Sequence, residues 1–110
     1  VISAGAFLNT PGTSMYGAGK AALLHFTRSM AAEYASRGIR VNALAPGPVD
    51  TTMVRNTGPE STASMARSNY MKRLGEPDEM VGAVLYMASD AGSFMTGQCL
   101  TVDGGMVPAR

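Results

Sequence analysis

Tyr16 and Lys20 stand four residues apart in a stretch that reads as helix, so both side chains leave one face. A phenol ordinarily ionises near pH 10 and is a poor proton carrier at neutral pH. An ammonium held roughly 4–5 Å away favours the phenolate by on the order of 3–4 kcal/mol at an effective dielectric near 20, before desolvation. The pair is therefore a candidate proton-transfer unit, although a tyrosine and a lysine at this spacing also arise by chance. Ser3 lies thirteen residues earlier, where an apolar strand end gives way to a loop. A hydroxyl there could hold a substrate oxygen whose charge changes during proton transfer; it fits a strand-terminating serine equally well. The third group is Pro46-Gly47-Pro48-Val49-Asp50-Thr51. Gly47 would let a ligand approach the backbone, and Thr51 could offer a hydroxyl and an amide to a phosphate or carboxamide. An ordinary Pro/Gly turn is the alternative.

The elements that must position these groups can be read from pattern. Val1-Ile2-Ser3 reads as the tail of a buried strand, and Ser3 to Pro11 as a loop. A long helix is expected from Thr13 or Ser14, either of which could cap it, to about Arg37, with Gly38 as its left-handed stop. Two apolar stripes, one through Tyr16, Leu23, Met30 and Tyr34 and one through Ala18, Ala22 and Ala32, predict a helix packed between two layers. Ile39 to Ala45 reads as a strand stopped by Pro46. Thr51 to Met71 reads as a loop with short helical pieces, or a lid, broken at Gly58-Pro59. Glu76-Pro77-Asp78-Glu79 is a strong helix start, and Met80, Val81, Val84, Leu85 and Ala88 are expected to be its buried face. Gln98 to Val102 reads as a second strand before the turn at Asp103-Gly104-Gly105. Alternation of this kind argues for an α/β architecture with a parallel sheet.

Composition narrows the function classes. Nine Lys and Arg against eight Asp and Glu give a net charge of +1 over 110 residues, which provides no footprint for nucleic acid or anionic lipid. Hydrophobic residues are 45% and charged residues 15%, which excludes a solvated disordered chain. No apolar run approaches the roughly 18–20 residues of a membrane span. The lone Cys99 excludes an internal disulfide, and the lone His25 weakens any metal site, so none is expected. Cys99 reads as a small buried hydrophobe and His25 as a surface residue. Arg67, Lys72 and Arg73 form a loose basic group beside the lid, a solvated face by default.

Five segments, taken in order, resemble the short-chain dehydrogenase/reductase family. They are Ser3 followed by Tyr16-Gly17-Ala18-Gly19-Lys20; Gly38 to Gly47; Arg73 to Glu79; Ser93 to Gln98; and Val102 to Gly105. The resemblance implies one domain over 1–110 that forms the C-terminal part of a Rossmann-like, doubly wound parallel sheet. Within it would lie a catalytic helix over 14–37, a substrate lid over 52–71 and a C-terminal helix and strand over 77–102. It implies hydride transfer between NAD or NADP and a small-molecule carbonyl or secondary alcohol. Tyr16 would be the general acid or base, Lys20 its electrostatic partner and a ligand of the nicotinamide ribose, and Ser3 the group that holds the substrate oxygen. Tyr16, Lys20, Pro46, Gly47, Val49 and Thr51 would contact the cofactor, with Val49 offering backbone groups to the carboxamide. A homotetramer assembled through the long helix and the C-terminal helix and strand is implied as well. The lid methionines Met53, Met65 and Met71 suit an adaptable apolar pocket, or plain packing.

The sequence departs from the family pattern in one respect. The family's glycine-rich pyrophosphate turn, the residue that selects NAD or NADP, and a relay asparagine have no counterpart in these residues. The expectation is a portion of an oxidoreductase, cytoplasmic since no signal segment opens it, and inactive by itself. The alternatives are a segment that serves mainly assembly, and a non-catalytic protein of the same fold. Intact Ser3, Tyr16 and Lys20 speak against the latter.

Overall fold

The computed structural model describes residues 1–109. Its core is a two-stranded parallel sheet, β1 (Ala43–Pro46) and β2 (Cys99–Val102), with Ala43 opposite Cys99 and Pro46 opposite Val102. The first residues dock beside it: Ile2 is buried, and its N–H donates to the Leu44 carbonyl at 2.7 Å. This strand tail ends at once, because Ala4–Phe7 turn away as a 3-10 helix within the expected loop.

The long helix is α1 (Ser14–Tyr34), which tightens into a 3-10 turn over Ala35–Arg37. Gly38 stops it with φ of 75°, its N–H donating to the Ala35 carbonyl, while the Ile39 N–H reaches back to Tyr34. Thr13 occupies the cap position but does not cap with its side chain; its hydroxyl donates to the Thr10 carbonyl. The buried face of α1 differs from the expected stripes. Leu24 and Ala31 are buried, with Gly17, Thr27 and Tyr34 half-buried along the same line at three- and four-residue spacing. Tyr16, Leu23, Ala18, Ala22 and Ala32 are exposed. The described residues thus cover α1 on one face, along Leu24 and Ala31, and the predicted stripe residues are corrected to this line. Leu24 joins Ile2, Ala43 and Ala45 in the core, with Ala6, Phe7 and Cys99 packed against them. Cys99 is only half-buried.

The strand expected over Ile39–Ala45 begins later, at Ala43, because the residues before it are held by side chains. The Arg40 guanidinium donates to the Met95 and Ser89 carbonyls, and Asn42 Nδ2 donates to Met95 at 2.8 Å. Asn42 Oδ1 accepts the Gln98 N–H, and Thr96 Oγ1 accepts that of Val41. Asn42 thereby substitutes for a length of backbone ladder.

The expected lid resolves into α2 (Thr52–Arg55) and α3 (Pro59–Arg67), separated by Gly58 with φ of 99°. The Pro77 start appears as a 3-10 turn over Pro77–Met80 that runs into α4 (Val81–Ala88). Its half-buried positions are Met80, Ala83 and Met87, whereas Val81, Val84, Leu85 and Ala88 are exposed. The predicted buried face of α4 is corrected accordingly: every residue from Met80 to Ala88 except Gly82 and Tyr86 is plainly aliphatic or thioether, so composition marks no side.

Candidate active site

Ser3 sits one residue beyond the point where Ile2 docks on β1, in extended conformation, at the N-cap of the Ala4–Phe7 turn. Its Oγ accepts the Gly5 N–H at 3.0 Å. One lone pair is therefore committed to the fold, and the O–H remains a donor. Tyr16 lies on the first turn of α1 and is 55% exposed. The Lys20 ammonium stands 5.7 Å from the centroid of the Tyr16 ring, within range of a cation–π attraction. Ser3 and Tyr16 meet at Gly5: a Cβ placed on Gly5 would lie 3.1 Å from Tyr16 Cε1 and 3.4 Å from Ser3 Oγ. The three residues singled out from spacing alone are thus brought to one place.

Beyond β1, the Gly47 N–H donates to the Val102 carbonyl at 3.0 Å. Val49 forms a parallel bridge with Gly75, made by the Gly75 N–H to the Pro48 carbonyl and the Asp50 N–H to the Gly75 carbonyl. In such a bridge the flanking residues supply the bonds, and the central residue turns its own groups the other way. The Val49 N–H and C=O accordingly have no hydrogen-bond partner among the described residues. They form a donor–acceptor pair of the kind a carboxamide needs. Thr51 caps α2, its Oγ1 accepting the Val54 N–H at 3.3 Å, which leaves its O–H as a donor. Asp50 is paired with Arg55 at 2.6 Å.

A cavity of about 110 Å³ lies beside this loop, walled by Pro48, Val49, Asn69, Met71, Val102 and Gly104. A wider depression of about 500 Å³ runs between Leu8–Pro11 and Gly17, Ala18 and Ala21 of α1. Neither is lined by Ser3, Tyr16 or Lys20; Tyr16 is exposed, and Ser3 and Lys20 are half-buried. Of the basic group beside the lid, Arg73 is not free: its two terminal nitrogens each meet a Glu79 carboxylate oxygen at 2.7 Å. These bonds, with the Glu76 N–H, hold the Glu79 carboxyl down at about 2, and Glu79 raises Arg73. Lys72 Nζ donates to the Arg67 carbonyl. His25 is exposed, and the described residues contain no group of three or more metal-ligating side chains.

Two residues of the site were not singled out by sequence reasoning. Gly5 carried only a weak signal, a glycine two places after the candidate serine. Asp103 was read as a turn residue, yet its carboxylate accepts the N–H groups of Gly105 and Val107 and fixes the end of β2 beside Gly47.

The described residues bring together two parallel strands, a long helix carrying a Tyr–Lys pair, and a proline-flanked loop with an unpaired Val49 N–H and C=O. Comparison with known proteins gives the family. The family model described as enoyl-(acyl carrier protein) reductase matches residues 1–107. A galactitol 2-dehydrogenase (L-tagatose-forming) from Cereibacter sphaeroides is 46% identical over 104 residues, covering 92% of this chain and 41% of that protein. The crystal structure of a 3-oxoacyl-[acyl-carrier protein] reductase from Brucella melitensis superposes with a TM-score of 0.89 at 38% identity, covering 98% of this chain and 41% of the other. A 4-hydroxyisoleucine dehydrogenase complexed with NADH matches with a TM-score of 0.86 at 28% identity, over 99% of this chain and 46% of the other. The chain belongs to the short-chain dehydrogenase/reductase family of oxidoreductases. It spans about two fifths of the length of the curated relatives it matches.

Proposed function

We propose that this chain carries the proton-transfer and substrate-holding half of an NAD(P)-dependent oxidoreductase that interconverts a carbonyl and a secondary alcohol. The observation behind the reading is the convergence of Ser3 Oγ and the Tyr16 ring on Gly5, with the Lys20 ammonium beside that ring.

The unpaired Val49 N–H and C=O fit the carboxamide of a nicotinamide, with Pro46 and Gly47 shaping the wall and Thr51 offering its hydroxyl. When bound, the nicotinamide supplies or accepts the hydride. Everything else falls to the chain. In reduction, the Tyr16 O–H gives its proton to the carbonyl oxygen, which becomes the alcohol as hydride reaches carbon; in oxidation, the phenolate takes that proton back. The Ser3 O–H donates to the same oxygen and steadies its developing charge. The Lys20 ammonium stabilises the negative phenolate and, by family resemblance, would hydrogen-bond the nicotinamide ribose. NADH in one structural neighbour supports a nicotinamide cofactor, and the choice between NAD and NADP stays open.

A polyol dehydrogenase, a 3-oxoacyl reductase and a hydroxy-amino-acid dehydrogenase all resemble the chain. Their shared chemistry is a secondary alcohol and its ketone, and α2 and α3 would shape the pocket that separates one substrate from another. The exposed apolar face of α1, with Met15, Leu23 and Phe26 on the surface, supports a homo-oligomer, a tetramer by family resemblance. Among the described residues no helix is long and apolar enough to cross a membrane. The isolated 110 residues hold no glycine-rich turn for the pyrophosphate and are expected to be inactive.

The test is Tyr16→Phe in the complete enzyme that contains this chain, assayed with NADH and NADPH against acetoacetyl thioester and a polyol. Turnover should fall by about 10²–10⁴-fold while nucleotide binding is kept. Full turnover in Tyr16→Phe, or turnover by the isolated chain, would refute the respective part of the reading.

A further inference from the structure

We infer that Gly5 is the positioning residue that sets Ser3 and Tyr16 against each other, an inference that rests on the roles proposed for those two residues. Two independent features of Gly5 act on the two partners. Its N–H donates to Ser3 Oγ at 3.0 Å. That bond takes one of the two lone pairs of the hydroxyl oxygen, fixes where the oxygen sits, and leaves the O–H to be donated. Ser3 then serves as a donor to an oxygen that gains negative charge. The second feature is the bare Cα. The point where a Cβ would sit is 3.1 Å from Tyr16 Cε1 and 3.5 Å from Cδ1, so the edge of the phenol ring rests on the space that the missing side chain leaves. The same point is 3.4 Å from Ser3 Oγ.

Backbone conformation does not explain the glycine. Gly5 is absent from the positions with positive φ, so alanine could adopt its backbone without strain. What it forbids is the methyl: a contact near 3.1 Å must be relieved by a shift of a few tenths of an ångström. The yielding atom belongs to Tyr16, whose ring is exposed and has the Lys20 ammonium beside it. The displacement therefore falls on the phenol relative to Ser3, not on the core.

The experiment compares Gly5→Ala, Ser3→Ala, Tyr16→Phe and the Gly5→Ala/Ser3→Ala double variant of the complete enzyme, with NADPH and acetoacetyl thioester as probes. Gly5→Ala should lower kcat by roughly 10–100-fold, the scale of a sub-ångström to 1 Å misplacement. KM for NADPH and the melting temperature should stay near wild type, and the solvent deuterium isotope effect on kcat should rise as proton transfer becomes limiting. Because the two residues act as a unit, the double variant should lose less than the product of the single losses. Gly5→Ala with wild-type kcat and isotope effect, or a fully multiplicative double variant, would overturn the inference while loss of activity in Tyr16→Phe leaves the proposed chemistry standing. Activity retained in Tyr16→Phe would overturn both. Should Gly5→Ala not fold, the ring is not free to yield as argued, and the inference is overturned on that ground.

Discussion

Gly47 lies so close to Asp103 that a Cβ on Gly47 would stand 2.7 Å from both Cα and Cβ of Asp103. The two residues follow paired strands: β1 ends at Pro46 and β2 at Val102, and the Gly47 N–H bonds to the Val102 carbonyl. Asp103 cannot move aside freely, since its carboxylate is held by the N–H groups of Gly105 and Val107. The loop that presents Val49 is thus seated against the turn after β2 through a contact that only a hydrogen on Gly47 allows.

Gly47→Ala is expected to destabilise the protein by about 1–3 kcal/mol, the usual cost of overpacking against atoms that cannot yield. Gly47 has no positive φ, so the effect would come from the contact and not from backbone strain. The displaced loop should also weaken nicotinamide-nucleotide binding. Denaturant midpoints and NADH fluorescence titration of the complete enzyme check both. A variant with unchanged stability and unchanged affinity would contradict the close seating.

A second prediction concerns acid. Glu79 accepts two bonds from Arg73 and one from the Glu76 N–H at 2.7 Å, and its carboxyl is lowered from an ordinary 4.5 to about 2. A depressed folded-state value contributes stability that is present above the unfolded value and lost as pH falls through the folded one. The anchoring of the α3-to-α4 segment should therefore weaken between 4.5 and about 2. The pair is exposed, so the contribution is screened and modest. Melting temperatures of wild type and Glu79→Gln should differ above 4.5 and converge toward the acid end of that window. A gap that stays constant across it would rule out Glu79 as the titrating group.

How far the sequence could be read depended on whether a feature was local. Gly38 at the end of α1, the acid-rich start at Glu76–Glu79, the Gly58-Pro59 break and the Tyr16–Lys20 spacing are all set within a few residues, and each is found in the fold. That the sheet is parallel followed from the alternation of elements; that 43–46 pairs with 99–102 is seen only in the fold. The misread features were long-range. Leu23 and Leu24 are adjacent and equally apolar, and only the position of Ile2, Ala43 and Ala45 decides that Leu24 is buried and Leu23 exposed. Ile39 to Asn42 looked like strand because Arg40 and Asn42 gave no sign of bonding to backbone more than fifty residues away. The meeting of Gly5 with Tyr16 across a loop belongs to the same class. No spacing rule announces it.

The last prediction weighs the charge on Lys20. Its ammonium is 5.7 Å from the Tyr16 ring centroid, and the residue is half-buried. A unit positive charge roughly 5–6 Å from a phenolate oxygen stabilises it by about 3 kcal/mol at an effective dielectric near 20. Exposure of Tyr16 to water screens this, so roughly 1.4–3 kcal/mol should reach the barrier, a loss of about 10–100-fold in kcat when the charge is removed. Lys20→Met keeps the length and the apolar stem while deleting the ammonium, and should lose that activity without a large change in stability. Lys20→Arg retains the charge, yet its planar guanidinium spreads it and demands a different geometry; partial activity between Met and wild type is expected. Steady-state kinetics on the complete enzyme decide the matter. Equal activity of Lys20→Met and wild type would mean that the cation beside the ring does not assist proton transfer.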